Sequence, residues 1–398
     1  MPPCLRGSIF LSDLCASTPS WQKKYDMSKA EHWYEIDNIH QIDSPALLIY
    51  LDRVKENIET LKSMIDDPSR LRPHIKTHKA KEAVQLCLEA GISKFKCATI
   101  AEAELLGICA APDVLLAYQP SGPKLERFIN LIKKYPSSKF SCLTDNLESA
   151  RHISGIALVN NLVIPVYMDL NVGQNRTGIK PGKEAIDLYK ACTSLKGITI
   201  MGLHAYDGHV HESDLKERTR ICEEAFAPVE KMKRSLVEEG YQAPIIVAGG
   251  SPSFPIHAKR KEVECSPGTF IYWDKGYLDL FPDQHFLPAA LVLARVISLP
   301  GESTLCIDLG HKSIAAENPL PRRVFFINAP DLVFIGQSEE HLVADAGIGH
   351  SWKIGDLLYG MPIHICPTCA LYDSAGIIEQ AVLTGAWSII GRNRKISI

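Results

Sequence analysis

Leu71-Arg-Pro-His-Ile-Lys76 is the first of eight short apolar runs, and the spacing of the eight decides the fold. The others are Phe95–Thr99, Val114–Tyr118, Phe140–Thr144, Val163–Leu170, Ile200–Tyr206, Ile245–Ala248 and Val263–Cys265. Each has the length of a strand rather than of a helix. Between them lie stretches with helical spacing. Residues 81–90 carry Val84, Cys87 and Leu88 on one face before Gly91, and residues 213–239 run on to Gly240. Ahead of the first run, Val54, Ile58, Leu61 and Ile65 repeat at the same spacing. Strands alternating with helices imply a parallel sheet, because a parallel connection needs a long return path. Eight such units predict a closed (β/α)8 TIM-type barrel over residues 51–286; an open doubly wound sheet is the structural alternative.

Beyond Leu287 the texture changes. Ala289–Leu299, Thr304–Leu309, Arg323–Ile327, Leu332–Ile335, Leu357–Ile365 and Ala381–Ile390 read as strands separated by turn residues. They predict a C-terminal all-β domain over residues 287–398. Residues 31–50 hold one more strand, Ser44–Tyr50, which is expected to join that sheet. Residues 1–30 show no sustained periodicity, and Ile9-Phe-Leu11 is too short for the apolar part of a signal peptide. That segment is expected to be flexible and unrelated to function.

Composition narrows the partners. With 398 residues, 46% hydrophobic, the chain can bury a large core. A net charge of -3 gives no basic field for nucleic acid or an acidic membrane surface. No apolar run reaches the ~18 residues of a spanning helix. The twelve cysteines are mostly scattered singly through apolar patterns, which reads as buried thiols in a cytoplasmic protein.

The working residues of a barrel sit where its strands end. After the first run comes Arg72-Pro-His-Ile-Lys-Thr-His-Lys79, after the fifth Asp169-Leu-Asn-Val-Gly-Gln-Asn-Arg-Thr-Gly178, and after the sixth His204-Ala-Tyr-Asp-Gly-His209. Gly249-Gly-Ser251 follows the seventh and Pro267-Gly-Thr269 the eighth. A lone Gly-Gly-Ser is a turn. Paired with Gly-Thr across the last two strands, it offers amides and hydroxyls to a phosphate. A lysine at a cavity mouth can form an imine with a carbonyl cofactor. Lys76 and Lys79 both qualify, and spacing separates them only slightly. His364-Ile-Cys366 would project two donors to one strand face, and nitrogen plus thiolate suits zinc. As a bare pair it reads by default as a core histidine beside a core cysteine.

The octapeptide Arg72–Lys79 strongly resembles the cofactor-lysine motif of the D-threonine aldolase and D-serine dehydratase family. That family belongs to the alanine-racemase-like, fold type III pyridoxal-phosphate enzymes. The resemblance runs from about Asp43 to the C-terminus. It includes Asp43-Ser-Pro-Ala46, Lys96-Cys-Ala-Thr99, Ala101-Glu-Ala-Glu104, Gln174-Asn-Arg-Thr-Gly178 and Ser338-Glu-Glu-His341. It implies a homodimer in which Lys76 carries pyridoxal 5'-phosphate. Arg176 would lie near the cofactor's phenolic oxygen, and Tyr206 near its pyridine, with His204 a neighbouring candidate. Gly250, Ser251, Gly268 and Thr269 would cradle the phosphate. His364 and Cys366 would hold a divalent metal, zinc or manganese, near the substrate hydroxyl, and Cys369 would pack behind them. The implied activity is a lyase on small β-hydroxy D-amino acids. The His204–His209 stretch resembles the aldolase branch, which would cleave D-threonine to glycine and acetaldehyde. Cys366 resembles the dehydratase branch, which would turn D-serine into pyruvate and ammonia. An amino-acid racemase, which needs no such metal, and a non-catalytic carrier, usually a barrel alone, are more distant readings.

Overall fold

A computed structural model describes residues 32–398, so the flexible segment expected at residues 1–30 lies outside the described residues. The chain enters through β1 (Ala46–Tyr50) and α1 (Leu51–Ser63). It then alternates through α2 (Lys81–Glu89), β2 (Lys94–Cys97), α3 (Ile100–Ile108), β3 (Asp113–Leu116), α4 (Pro123–Lys134), β4 (Lys139–Thr144), α5 (Leu147–Val159) and β5 (Ile164–Asp169). The series continues through α6 (Lys183–Thr193), β6 (Ile198–Ala205), α7 (Leu215–Glu238), β7 (Ile245–Ala248), α8 (Phe254–His257) and β8 (Val263–Cys265). Strands β2 to β8 pair in chain order, all parallel.

The first apolar run departs from expectation. Residues 71–75 form no regular strand, because Pro73 lacks the N–H that a ladder requires. They still close the barrel. Arg72 N donates to Cys265 O at 2.8 Å and His74 N to Pro267 O at 2.9 Å on the β8 side. On the β2 side Ile75 N donates to Lys96 O at 3.0 Å, and Lys96 N to Pro73 O at 2.9 Å. The eighth stave is thus an irregular segment bridged on both edges.

Strand periodicity sorts the side chains. Phe95, Cys97, Val114, Leu116, Phe140, Cys142, Val166 and Met168 join the large core shared with the helices. The alternate positions fill the barrel in layers. Near the strand starts, fully buried Arg72 meets Glu264 and Asp113, each at 2.7 Å, and Lys94 meets Glu264 at 2.5 Å. Above lies an apolar belt of Leu115, Leu143, Tyr167 and Val247. Above the belt come Lys96, Asp169 and His204, all buried.

After the barrel, α9 (Lys275–Leu280) leads into a second sheet of β9 (Ala290–Ser298), β10 (Thr304–Ile307), β11 (Val324–Phe326), β12 (Val333–Gln337), β13 (Leu342–Asp345) and β14 (Leu357–Pro362). Helix α10 (Ile365–Cys369), β15 (Ser374–Glu379) and β16 (Val382–Ser388) complete it. β1 lies inside this sheet, antiparallel to β9 and parallel to β15. Two of its strands, β13 and β15, were not separated by the sequence pattern; both are short and interrupted by polar or glycine residues. No helix among the described residues is long and apolar enough to cross a membrane. The ten described cysteines are all free.

Arg72→Met should lower the unfolding free energy by about 3 kcal/mol, because it strands buried carboxylates without their partner. The check is a fall in the urea midpoint relative to wild type.

Candidate active site

Lys76 leaves the closing stave at the barrel mouth. It lines a cavity together with Lys96, Tyr206, Ser251, Ser266 and Thr269. Its Nζ lies 5.9 Å from the centroid of the Tyr206 ring. Lys79, the rival lysine, is turned elsewhere. Its ammonium pairs with the fully buried Glu102 in the first turn of α3. The other Glu102 oxygen accepts from Ala98 N at 2.6 Å, while Thr99 Oγ1 caps the helix by accepting from Glu102 N at 3.1 Å. Lys79 therefore serves the start of α3.

The loops after β7 and β8 meet beside Lys76. Gly249 has φ +78°, a conformation glycine adopts without strain. A Cβ at Gly250 would come within 3.2 Å of the Tyr206 ring, and one at Gly268 within 3.0 Å of His74 O. Ser251 Oγ accepts from Gly268 N at 3.2 Å and from Thr269 N at 3.1 Å, so one hydroxyl gathers both loops. Ser266 Oγ is buried and has no hydrogen-bond partner among the described residues. Close-packed glycines, clustered amides and a hydroxyl left unsatisfied fit the oxygens of a phosphate.

A group that the sequence did not reveal braces this cradle. Asp207, next to Tyr206, accepts from Ser253 Oγ at 2.8 Å and lies 2.8 Å from His257 Nε2. Ser253 Oγ in turn accepts from Gly250 N at 3.2 Å. Cys222 of α7 brings its Sγ to 3.3 Å from His257 Nε2. The ligating atoms of Asp207, Cys222 and His257 all lie within 4.8 Å of one another, in the buried interior. Burial opposes the Asp207 charge, but His257 and Ser253 outweigh it and hold the carboxyl below its ordinary range. The three residues come from separate elements, so no local spacing could have marked them.

The Tyr206 ring faces Lys76, Lys96 and Arg176. Lys96 Nζ is 5.3 Å from its centroid, and the Arg176 guanidinium, on an exposed loop, is 5.2 Å away. His204 sits behind, with Nδ1 2.7 Å from Asp169 Oδ1 and Nε2 3.3 Å from Lys96 Nζ. Lys96 enters the sequence argument only within the Lys96–Thr99 resemblance. The signal it missed was a charge at an inward position, flanked by Phe95 and Cys97 that pack outward.

His364 and Cys366 reach the same mouth, by a different geometry from the one expected. β14 ends at Pro362, and His364 is the N-cap of α10 rather than a strand residue. A helix start, not a shared strand face, lets the two side chains hydrogen-bond. Cys366 Sγ lies 3.1 Å from Thr77 Oγ1 and 3.7 Å from Thr269 Oγ1. Burial pushes the thiol up, but His364, the Lys76 charge and Thr77 together bring it below its ordinary value. Glu317 Oε1 meets His364 Nδ1 at 2.6 Å, as a carboxylate that orients a metal-binding imidazole would. Imidazole nitrogen and a thiol inclined to ionise fit a divalent ion with open positions. Cys369 is fully buried in the core.

Residues 49–275 match the family described as alanine racemase, N-terminal domain, and residues 289–378 match a putative serine dehydratase domain. The chain is similar to a D-threonine aldolase of an Arthrobacter species, with 26% identity over 89% of this chain and 94% of the relative. It is similar to a D-threo-3-hydroxyaspartate dehydratase of a Delftia species, with 23% identity over 84% of this chain and 94% of the relative. Among solved structures, a D-threonine aldolase from Filomicrobium marinum superimposes with a TM-score of 0.81 at 25% identity, covering 88% of this chain and 95% of the other. The cavity at a parallel barrel's mouth, the strand domain that reaches it and the match over most of the barrel agree: the chain belongs to the alanine racemase N-terminal domain family.

Proposed function

We propose that this chain is a lyase dependent on pyridoxal phosphate and a divalent metal, acting on β-hydroxy D-amino acids, with cleavage of D-threonine to glycine and acetaldehyde as its reaction. One observation carries the reading. Cys366 Sγ stands 3.1 Å from the hydroxyl of Thr77, the residue after Lys76, which supports metal donors and a cofactor lysine working side by side.

Lys76 Nζ would hold the cofactor covalently. Gly250, Ser251, Gly268 and Thr269 would bind its phosphate, with Tyr206, His204 and Arg176 around its ring. Bound pyridoxal phosphate supplies an electron sink for charge developing at the substrate's α-carbon. An ion of zinc or manganese on His364 and Cys366 would supply Lewis acidity toward the β-hydroxyl. The remaining work belongs to the chain itself. Glu317 fixes the His364 ring, so that its other nitrogen is presented as a donor atom. Thr77 and Thr269 hold Cys366 from the barrel side. The Asp207–Ser253–His257 brace keeps Tyr206 and the Gly250 loop in fixed relation, which lowers the ordering needed when substrate binds.

The thiol favours a second reading. A histidine–cysteine pair suits zinc, and loss of hydroxide from D-serine would then give pyruvate and ammonia. The two readings separate by products. The protein should release acetaldehyde from D-threonine. Pyruvate from D-serine without aldehyde from D-threonine would transfer the assignment to the dehydratase. Lys76→Ala should abolish both the bound cofactor's absorbance and turnover, while Lys79→Ala should retain the absorbance.

Glu317→Gln should weaken metal binding by about 10–100-fold, read as the metal retained after dialysis against a graded chelator. Unchanged retention would remove His364 from the ligand set.

A further inference from the structure

Lys96 has no task in the reading above. It is 2% exposed and lines the cavity with Lys76. Its hydrogen-bond direction follows from its neighbours. The Asp169 carboxylate, kept ionised, can only accept, so His204 Nδ1 carries the ring hydrogen. His204 Nε2 is then an acceptor, and the amine 3.3 Å away must donate to it. Lys96 donates to His204, and His204 to Asp169. A neutral Lys96 keeps its lone pair free after making that bond.

The charges around Lys96 come from several elements. Lys76 and Arg72 of the closing stave face it as cations, and Asp169 and Asp207 as anions. His74, His204 and the Tyr206 ring also border it, and the Arg176 guanidinium stands by the same ring. Burial, then the Lys76 charge, pulls Lys96 down to about 7 against the two carboxylates. His74 is pushed well below its ordinary value by burial and by Lys76 and Lys96, so it stays neutral. Two amines share one cavity, and burial makes the Lys96 amine reluctant to hold a proton there.

An amino acid arrives as an ammonium ion, which has no lone pair with which to displace Lys76 from the cofactor. We propose that Lys96 Nζ accepts the proton that the substrate's ammonium group must lose. An N–H bond of the substrate breaks and one forms on Lys96. The new charge is held by His204 Nε2, with the Asp169 carboxylate behind it. The proton returns to the product amine as it departs, so the amine exchange itself consumes no outside acid or base. This inference rests on the lyase reading and adds a second working amine to it.

The test uses the full-length protein loaded with pyridoxal phosphate, and two variants, Lys96→Met and Lys96→Arg. Each is mixed with D-alanine, which has no β-hydroxyl to cleave, and the change in cofactor absorbance is followed by stopped flow across pH. In wild type the rate should rise with pH through a step below the ordinary lysine range. Sign and direction agree: the acceptor works when unprotonated, so the rate is lost as pH falls. Both variants should be slower by about 100-fold and should lose the step. A Lys96→Met protein with wild-type rate and step sinks the proposal. So does restoration by Lys96→Arg, which would mean that the lysine only holds His204. If Lys96→Met fails to fold by circular dichroism, Lys96→Arg carries the same test. Borohydride reduction and peptide mapping separate the two levels of argument. No cofactor on Lys76 in wild type overturns the lyase reading and this inference together; cofactor on Lys76 with an unaffected Lys96→Met overturns this inference alone.

Discussion

The buried guanidinium of Arg72 ties the barrel shut. It reaches Asp113 on β3 and Glu264 on β8, across the gap where Pro73 interrupts regular strand pairing. A closing segment without a full ladder has few backbone bonds to set its position. The charge cluster, together with the four backbone bonds on its two edges, supplies that constraint. Lys76 and Thr77 follow within a few residues. Their placement over the cavity is therefore set by the closure beneath them. The apolar belt of Leu115, Leu143, Tyr167 and Val247 separates this lower cluster from Lys96, Asp169 and His204 above.

A single carboxylate joins the two halves of the site. Asp274 caps α9 by accepting from Tyr277 N at 2.9 Å and also accepts from Ile365 N at 3.0 Å, at the start of α10. The exit of the barrel is thereby fixed to the residue between His364 and Cys366. Gly276 makes the approach feasible, since a Cβ there would stand 2.4 Å from Ile363 O. Cys366 then meets Thr77 and Thr269 across the boundary. Neither half holds a complete set of donors.

The strands of the barrel were legible because inward and outward positions alternate, as in Phe95-Lys96-Cys97. The closing stave was legible as apolar but not as irregular, although Pro73 carried the warning. Glycines and hydroxyls after β7 and β8 stood out by their position at strand ends. The rest of the site depends on distance along the chain. Glu317 meets His364 across four intervening strands, β11 to β14, and Asp207 meets His257 from another element. Periodicity records which face a residue takes, and says nothing of which distant side chain it meets. Lys79 against Lys76 was undecidable for the same reason: Glu102, which engages Lys79, belongs to a helix beyond β2. His364 and Cys366 were found by a spacing that fits a strand, yet the chain brings them together by turning into a helix after Pro362.

The place of β1 has a consequence for the order of events on the ribosome. This strand is made first, yet its two neighbours, β9 and β15, are encoded far downstream, one just past the barrel and one near the C-terminus. Until they emerge, the alternating edge Ala46–Tyr50 has no native partner in the nascent chain. The barrel, by contrast, is complete once β8 has been translated. A growing chain thus holds the paired loops after β7 and β8 before it holds the His364–Cys366 pair. The second sheet, which seats β1 and carries that pair, is the late step of assembly, and at the usual ~5–20 residues per second it lags the barrel by several seconds or more.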